Sequence, residues 1–307
     1  MIASVGEGLV DFTPVEAGGR LDGFRVHPGG SPCNVAVGVA RLGHPAAFAG
    51  RLSNDLFGRL LAGHLAETGV ATHLAARCAE PTAQAFVAER DGEPVYDFRL
   101  EGTAAATLAP ADLPPERFAG LEALHFGSLG LALRPSREAV LGLASELQGR
   151  LLLTFDPNVR PDAVADWPGY RGALAEAWRL ADVVRASEAD LRAWGAEPPL
   201  APDQALVVTA GPAGSRLRVG GRVLACPAAP CRVTDTVGAG DAYMAGLLVA
   251  LCERRALDRP ALRGLGDGEW LAVMRFAAVT AALTCERAGA DPPRRAEVGA
   301  RLAAWPG

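Results

Sequence analysis

Short, mostly apolar runs alternate with stretches of helical period along most of the 307 residues. Such runs at Ile2–Val5, Ala46–Ala49, Leu121–Phe126, Leu151–Phe155, Asp182–Arg185 and Ala205–Thr209 predict strands. Amphipathic segments at Cys33–Leu42, Leu56–Glu67, Ser136–Leu147 and Tyr170–Leu180 predict the helices between them. The C-terminal third adds helices at Asp241–Arg254, Glu269–Glu286 and Arg294–Ala304. This β-α alternation implies an α/β fold, a mostly parallel sheet with helices on both faces. Two stretches interrupt it. Thr13–His27 and Gln84–Leu100 lack helical period, and the second reads as strands Gln84–Glu89 and Val95–Arg99 around Arg90-Asp91-Gly92-Glu93, where the Asp-Gly pair signals a hairpin. Antiparallel strands inserted into a parallel plan predict a small sheet standing off the body, either a flap over a site or a dimerising hairpin. No internal repeat or low-complexity linker divides the chain.

Composition narrows the class. Apolar residues make up 50% and charged residues 21%, which is ordinary globular usage rather than disorder. The net charge of −5 comes without a Lys/Arg cluster and argues against nucleic acid. The apolar run Ala242–Cys252 is far short of the ~20 residues that span a bilayer. With no basic and apolar leader pattern in residues 1–30, the chain reads as soluble and cytoplasmic. The six cysteines form no Cys-x-x-Cys and no zinc spacing, so they read as small apolar residues in a reduced protein. The five histidines fit no catalytic arrangement.

The strongest chemical signal is Thr234-Asp235-Thr236-Val237-Gly238-Ala239-Gly240-Asp241, followed directly by an apolar helical run. Two glycines let backbone approach a ligand closely, and a helix opening at Asp241 would aim free N–H groups at an anion. Asp241 could equally cap that helix with its carboxylate. No Gly-x-x-x-x-Gly-Lys-Ser/Thr occurs, so a phosphate site here is not a P-loop. Gly6-Glu7-Gly8 after the first strand suggests a dinucleotide fold, but the third glycine position holds Asp11.

Thr236 to Asp241 resembles the C-terminal signature of the ribokinase-like (PfkB-type) carbohydrate kinases. Gly29-Gly30-Ser31-Pro32-Cys33-Asn34-Val35-Ala36 looks like that family's glycine-rich sugar motif, in a form similar to the bacterial fructokinases. Gly6 to Asp11, Asn54 to Gly58, Phe155-Asp156-Pro157-Asn158-Val159-Arg160 and Ala281 to Ala290 also match, in family order. The resemblance implies a three-layer α/β/α sandwich over residues 1–307, with a β lid from segments near 12–28 and 84–108. It implies an ATP-dependent sugar kinase, fructokinase-like or acting on 2-keto-3-deoxygluconate or another ketose or pentose. A binding protein that kept the fold and lost catalysis is the rival class, and the intact Gly-Ala-Gly-Asp argues against it.

Carried over residue by residue, Asp241 is the base for the sugar hydroxyl, and the backbone of Gly238, Ala239, Gly240 and Asp241 forms the anion hole. Asp11, Gly29, Gly30 and Asn34 bind sugar, although Asn34 could instead cap the helix that follows it. Arg99 lies over the substrate, being otherwise a solvated flap charge, and Arg160 faces the substrate or the transferred phosphate. Thr209, Gly211 and Gly214 form the nucleotide loop, otherwise a plain turn. Ser187 and Asp190 stand where many members have Asn-x-x-Glu, acting on magnesium and phosphate through water. Ala278 replaces an Asn that often meets adenine. Asp235, Val237 and Gly289 match the surroundings of a monovalent cation such as K+, with Pro293 where an oxygen-bearing residue often lies. The implied cofactors are ATP and Mg2+, and the implied assembly is a lid-to-lid homodimer.

Overall fold

The computed structural model describes residues 1–18, 20–90, 93–195 and 197–305. Its body is an eight-stranded sheet. Six parallel strands make up most of it: β1 (Ile2–Val5), β4 (Ala46–Ala49), β9 (Ala123–Gly127), β10 (Leu152–Asp156), β11 (Val183–Ser187) and β12 (Ala205–Thr209). An antiparallel hairpin, β13 (Ser215–Val219) and β14 (Arg222–Cys226), closes one edge, giving the order β14-β13-β12-β11-β10-β9-β1-β4. Its turn is Gly220-Gly221, both at positive φ, a glycine pair that signals a hairpin beyond the strands expected.

Because strand side chains alternate, each parallel strand feeds two cores. Ile2, Phe48 and Leu152 pack on one side, against α1 (Ser31–Arg41), α2 (Leu56–Glu67), α6 (Ala239–Glu253), α8 (Asp267–Cys285) and α9 (Arg295–Ala304). Val5, Leu153 and Phe155 pack on the other, against α3 (Ser136–Leu147) and α4 (Trp167–Leu180). The three-layer expectation therefore holds. Helix α6 is apolar on all sides because it lies between α1 and α8. The approach is close at Gly38, where a Cβ would sit 2.7 Å from that of Ala245. Two short helices, α5 (Glu188–Trp194) and α7 (Arg259–Gly264), and a parallel pair, β5 (Arg51–Ser53) with β6 (Ala76–Cys78), complete the body and were not anticipated.

A separate four-stranded sheet stands off this body, in the order β3-β2-β7-β8. It consists of β2 (Leu9–Ala17), β3 (Arg20–Gly29), β7 (Ala83–Arg90) and β8 (Glu93–Arg99). The expected second segment is shorter than 84–108: after Arg99 the chain turns back, and Ala104, Ala105 and Leu108 are buried. The tip residues Asp91 and Gly92 of the expected hairpin lie outside the described residues. Among the described residues no helix is long and apolar enough to cross a membrane, and all six cysteines are free.

Candidate active site

The C-terminal ends of the parallel strands, the small sheet and the N-terminal turns of α1 and α6 converge on one carboxylate. Helix α6 opens at Ala239, two residues earlier than the sequence suggests, with Gly238 in the left-handed region (φ 75°) before it. Only glycine fits there freely, since a Cβ would also lie 2.6 Å from that of Ala290. Asp241 thus sits in the first turn, and it does not cap. Its Oδ1 accepts from the Ser31 hydroxyl at 2.7 Å and its Oδ2 from the Asn34 amide at 2.8 Å. Asn34 is likewise no cap; its side chain reaches across from α1. Ser31, within the glycine-rich motif, is a site residue that its position in the sequence does not reveal.

The turn's N–H groups are unequal. Ala239 donates to the Thr236 carbonyl at 3.2 Å and Ala242 to that of Gly238 at 2.8 Å. Among the described residues, the N–H groups of Gly240 and Asp241 have no protein acceptor. They point out of a helix N-terminus, the geometry that takes an anion. The Gly238 N–H, just before the helix, also has no protein acceptor among the described residues, so of the four N–H groups expected in the anion hole the one engaged is that of Ala239.

Burial pushes the Asp241 carboxyl above the ordinary range, while Ser31, Asn34, Arg185 and Arg160 pull it back. Asp11, at the base of β2, is pushed up to about 6, mainly by burial and then by Asp241, with Arg160 opposing. A Cβ at Gly29 would fall 2.2 Å from the Asp11 carboxylate, and one at Gly30 (φ 97°) would fall 2.6 Å from the Glu7 carbonyl. Gly29 makes room for the Asp11 carboxylate, and Gly30 for the backbone of Glu7. Glu7 is itself buried, accepts from the Gly130 N–H at 3.0 Å, and is pushed up to about 7 by its burial.

Arg160 is held beside these acids by a pinned segment. Asp156 binds the Asn158 N–H (3.1 Å) and Arg185 (2.7 Å), and Asp190 accepts from the Val159 N–H (2.8 Å). The other Asp190 oxygen caps back onto the Ser187 N–H at 2.9 Å, while Ser187 caps α5. Both residues are thus engaged in holding the backbone. Arg99 does not join the site. Strand register pairs it with Gln84, whereas Asp11 shares its face with Ala85 and Phe98, so Arg99 lies on the opposite face, exposed and ion-paired to Asp97. In its place Tyr96 and Phe98, stacked at 5.7 Å, face the acids, and the Tyr96 phenol feels Arg160, Asp11 and Asp241. Alternation along β8 carried that signal.

Thr209 ends β12 and its hydroxyl accepts from Arg185 at 2.6 Å, with Gly211 (φ 54°) and Gly214 (φ 88°) shaping the loop beyond. Asp235 accepts from the Val237 N–H at 3.0 Å and the Gly289 N–H at 2.7 Å, so those three residues do come together. Among the described residues no cluster of three or more acids, histidines or cysteines could hold a metal by itself.

Comparisons with known proteins identify the family. The family model described as pfkB family carbohydrate kinase matches residues 1–296. A fructokinase of Klebsiella pneumoniae is 35% identical over 260 residues, 80% of this chain and 83% of that protein. The structure of a Xylella fastidiosa fructokinase with bound ATP superposes with a TM-score of 0.90 at 27% identity, covering 99% of this chain and 98% of that one. A Vibrio cholerae fructokinase with fructose, ADP and a calcium ion gives 0.82 at 26%, covering 98% of both chains. With a family model spanning nearly the whole chain and relatives covering most of it, the chain belongs to the pfkB family of carbohydrate kinases and is an ATP-dependent sugar kinase.

Proposed function

We propose that the sugar is fructose, held beneath the small sheet by Asp11, Asn34 and Arg160, and that Asp241 takes the proton of its accepting hydroxyl. The observation that carries this is the placement of Asp241: a carboxylate fixed by Ser31 and Asn34 beside the two unpartnered N–H groups of its own turn. Base and anion stabiliser then sit within one helical turn, and transfer depends on positioning and charge neutralisation. The raised Asp241 carboxyl suits a base working near neutral pH. Water is kept from competing by the sheet acting as a lid.

A neutral sugar fits the charge balance. Glu7, Asp11 and Asp241 are set against Arg160 and the buried Arg185, and Arg99 faces away, so an acidic sugar such as 2-keto-3-deoxygluconate finds fewer cations than acids. ATP lies toward the Thr209–Gly214 loop. Mg2+ fits as an ion carried on the nucleotide phosphates, since it commonly keeps waters and few protein ligands. It would shield phosphate charge there, and the described residues offer no separate cage. K+ would take backbone oxygens of the loops that Asp235 ties to Gly289, the Asp235 carboxylate supplying charge. A calcium ion in one Vibrio cholerae fructokinase structure and a potassium ion in another support an ion in these enzymes.

A second copy covers the other face of the lid. Phe12, Phe24 and Phe86 pack there edge to face and stacked, beside Phe57, while Phe24 is 42% exposed and Leu21 60%. An open apolar patch of this kind marks an interface. Sedimentation should give a dimer that Phe24→Asp converts to monomer; a monomeric wild type contradicts the assembly.

ADP release measured over fructose, ribose, tagatose, 2-keto-3-deoxygluconate and nucleosides tests the substrate. Fructose should give the highest kcat/KM. Asp11→Ala should weaken sugar binding by about 1–3 kcal/mol and leave the KM for ATP unchanged. Preference for the acidic sugar, or a loss confined to ATP, overturns the reading.

A further inference from the structure

We propose that Arg185 is a positioning residue of phosphoryl transfer, its guanidinium holding the Gly240 backbone and placing a fixed positive charge beneath the turn that receives the moving phosphoryl group. The inference rests on the reading of Gly238–Asp241 as the reaction centre and assigns a role to a residue outside it.

The guanidinium is the most enclosed cation of the cleft. Arg185 is buried on β11, between β10 and β12. Its Nη1 donates to Asp156 Oδ2 at 2.7 Å and its Nη2 to Thr209 Oγ1 at 2.6 Å, while its buried Nε has no partner among the described residues. Its plane lies against the first turn of α6: a Cβ at Gly240 would stand 2.6 Å from Nη1 and 3.1 Å from both Cζ and Nη2. Position 240 has ordinary helical backbone, so glycine is needed there for space. One side chain thus links the ends of three neighbouring strands to the turn bearing the two unpartnered N–H groups.

A full salt bridge alone does not explain this design, because a buried ion pair gives little net stability compared with apolar packing. The charge is useful where negative charge develops. Held by Asp156 and Thr209, it need not reorganise when the phosphoryl group moves, and it adds to the positive end of α6. The acids Asp156, Asp190 and Asp241 surround it, with Arg160 beside Asp241 as the second cation.

The experiment compares Arg185→Met, Arg185→Lys and Asp241→Asn in steady-state kinetics of the full chain with ATP and the best sugar of the panel. Arg185→Met should lower kcat by roughly 10²-fold, the scale of a small misplacement of reacting groups, with both KM values within about threefold. Arg185→Lys keeps the charge and one donor and should recover about tenfold of that loss. If Arg185→Met does not fold, Arg185→Met with Asp156→Asn leaves no lone buried carboxylate and is measured in its place; loss of folding in that variant as well would make Arg185 a structural residue and overturn the proposal. Normal kcat in the Met variant, equal loss in Met and Lys, or a loss lying in KM also overturns it. An active Asp241→Asn instead overturns the underlying reaction centre; an inactive one beside a normal Arg185→Met removes this inference alone.

Discussion

The two ends of the central sheet differ in how many of their acids have a cation in direct contact. At the C-terminal ends of the strands, Glu7, Asp11 and Asp241 are all held above their ordinary carboxyl range, and burial is the leading cause in each. At the N-terminal ends, the carboxylates touch cations, although burial still holds Asp182 above its ordinary range. Glu122 receives the Met1 amino group and His44, which hold it low despite its partial burial. Asp182 takes Arg259 at 2.9 Å and the Leu153 N–H at 3.0 Å. A cavity of about 720 Å³ lies at the N-terminal end beside Asp182 and Arg259, so a cavity alone does not mark the site. Acids left short of cations mark the end where a ligand with hydroxyls and a proton to lose is expected.

This contrast can be broken by substitution. The largest effect on stability belongs to Glu7. Its folded carboxyl titrates at about 7 against an ordinary 4.5, so the folded state keeps a proton that the unfolded chain releases in that window. Stability from this group is therefore lost as pH rises from 4.5 to 7. Glu7→Gln lacks the titration, and its stability relative to wild type should rise by up to about 3 kcal/mol between pH 4.5 and 8 in denaturant melts. A difference that stays constant with pH would show that Glu7 is not buried as described. A smaller effect is expected at the other end. Arg259→Ala leaves Asp182 with one partner fewer and should cost about 2 kcal/mol, less than a fully buried pair because Arg259 is partly exposed. Its kcat and KM should match wild type. A kinetic defect there would dissolve the division between the two ends.

Much of this was legible in the chain, for physical reasons that can be stated. Parallel strands buried on both faces are short apolar runs, so β1, β4, β9, β10, β11 and β12 were readable within a residue or two. The glycine pairs announced the two turns where backbone must come close. The first hairpin of the small sheet, β2 with β3, was less visible because half of β3 is exposed and a register shift opposite Val15 and Glu16 breaks the alternation of its apolar residues. Ser31 and Arg185 were hidden for another reason. Their importance comes from what they touch across 210 residues (Asp241) and across neighbouring strands (Asp156 and Thr209), which spacing along the chain does not encode. Arg99 shows the converse: a motif position can be right while strand alternation turns its side chain to the far face.

The central claim, that chemistry occurs at Asp241, is tested most directly by the turnover of Asp241→Asn. The amide has the size to keep packing between Ser31 and Asn34 but cannot accept the hydroxyl proton. Wild-type kcat should fall as pH drops through the raised Asp241 carboxyl, since the base must be ionised. In Asp241→Asn, kcat should be lower by about 10²–10⁴-fold, with the sugar KM within a few-fold and the melting temperature nearly unchanged. A folded Asp241→Asn protein with kcat within about threefold of wild type would contradict the account.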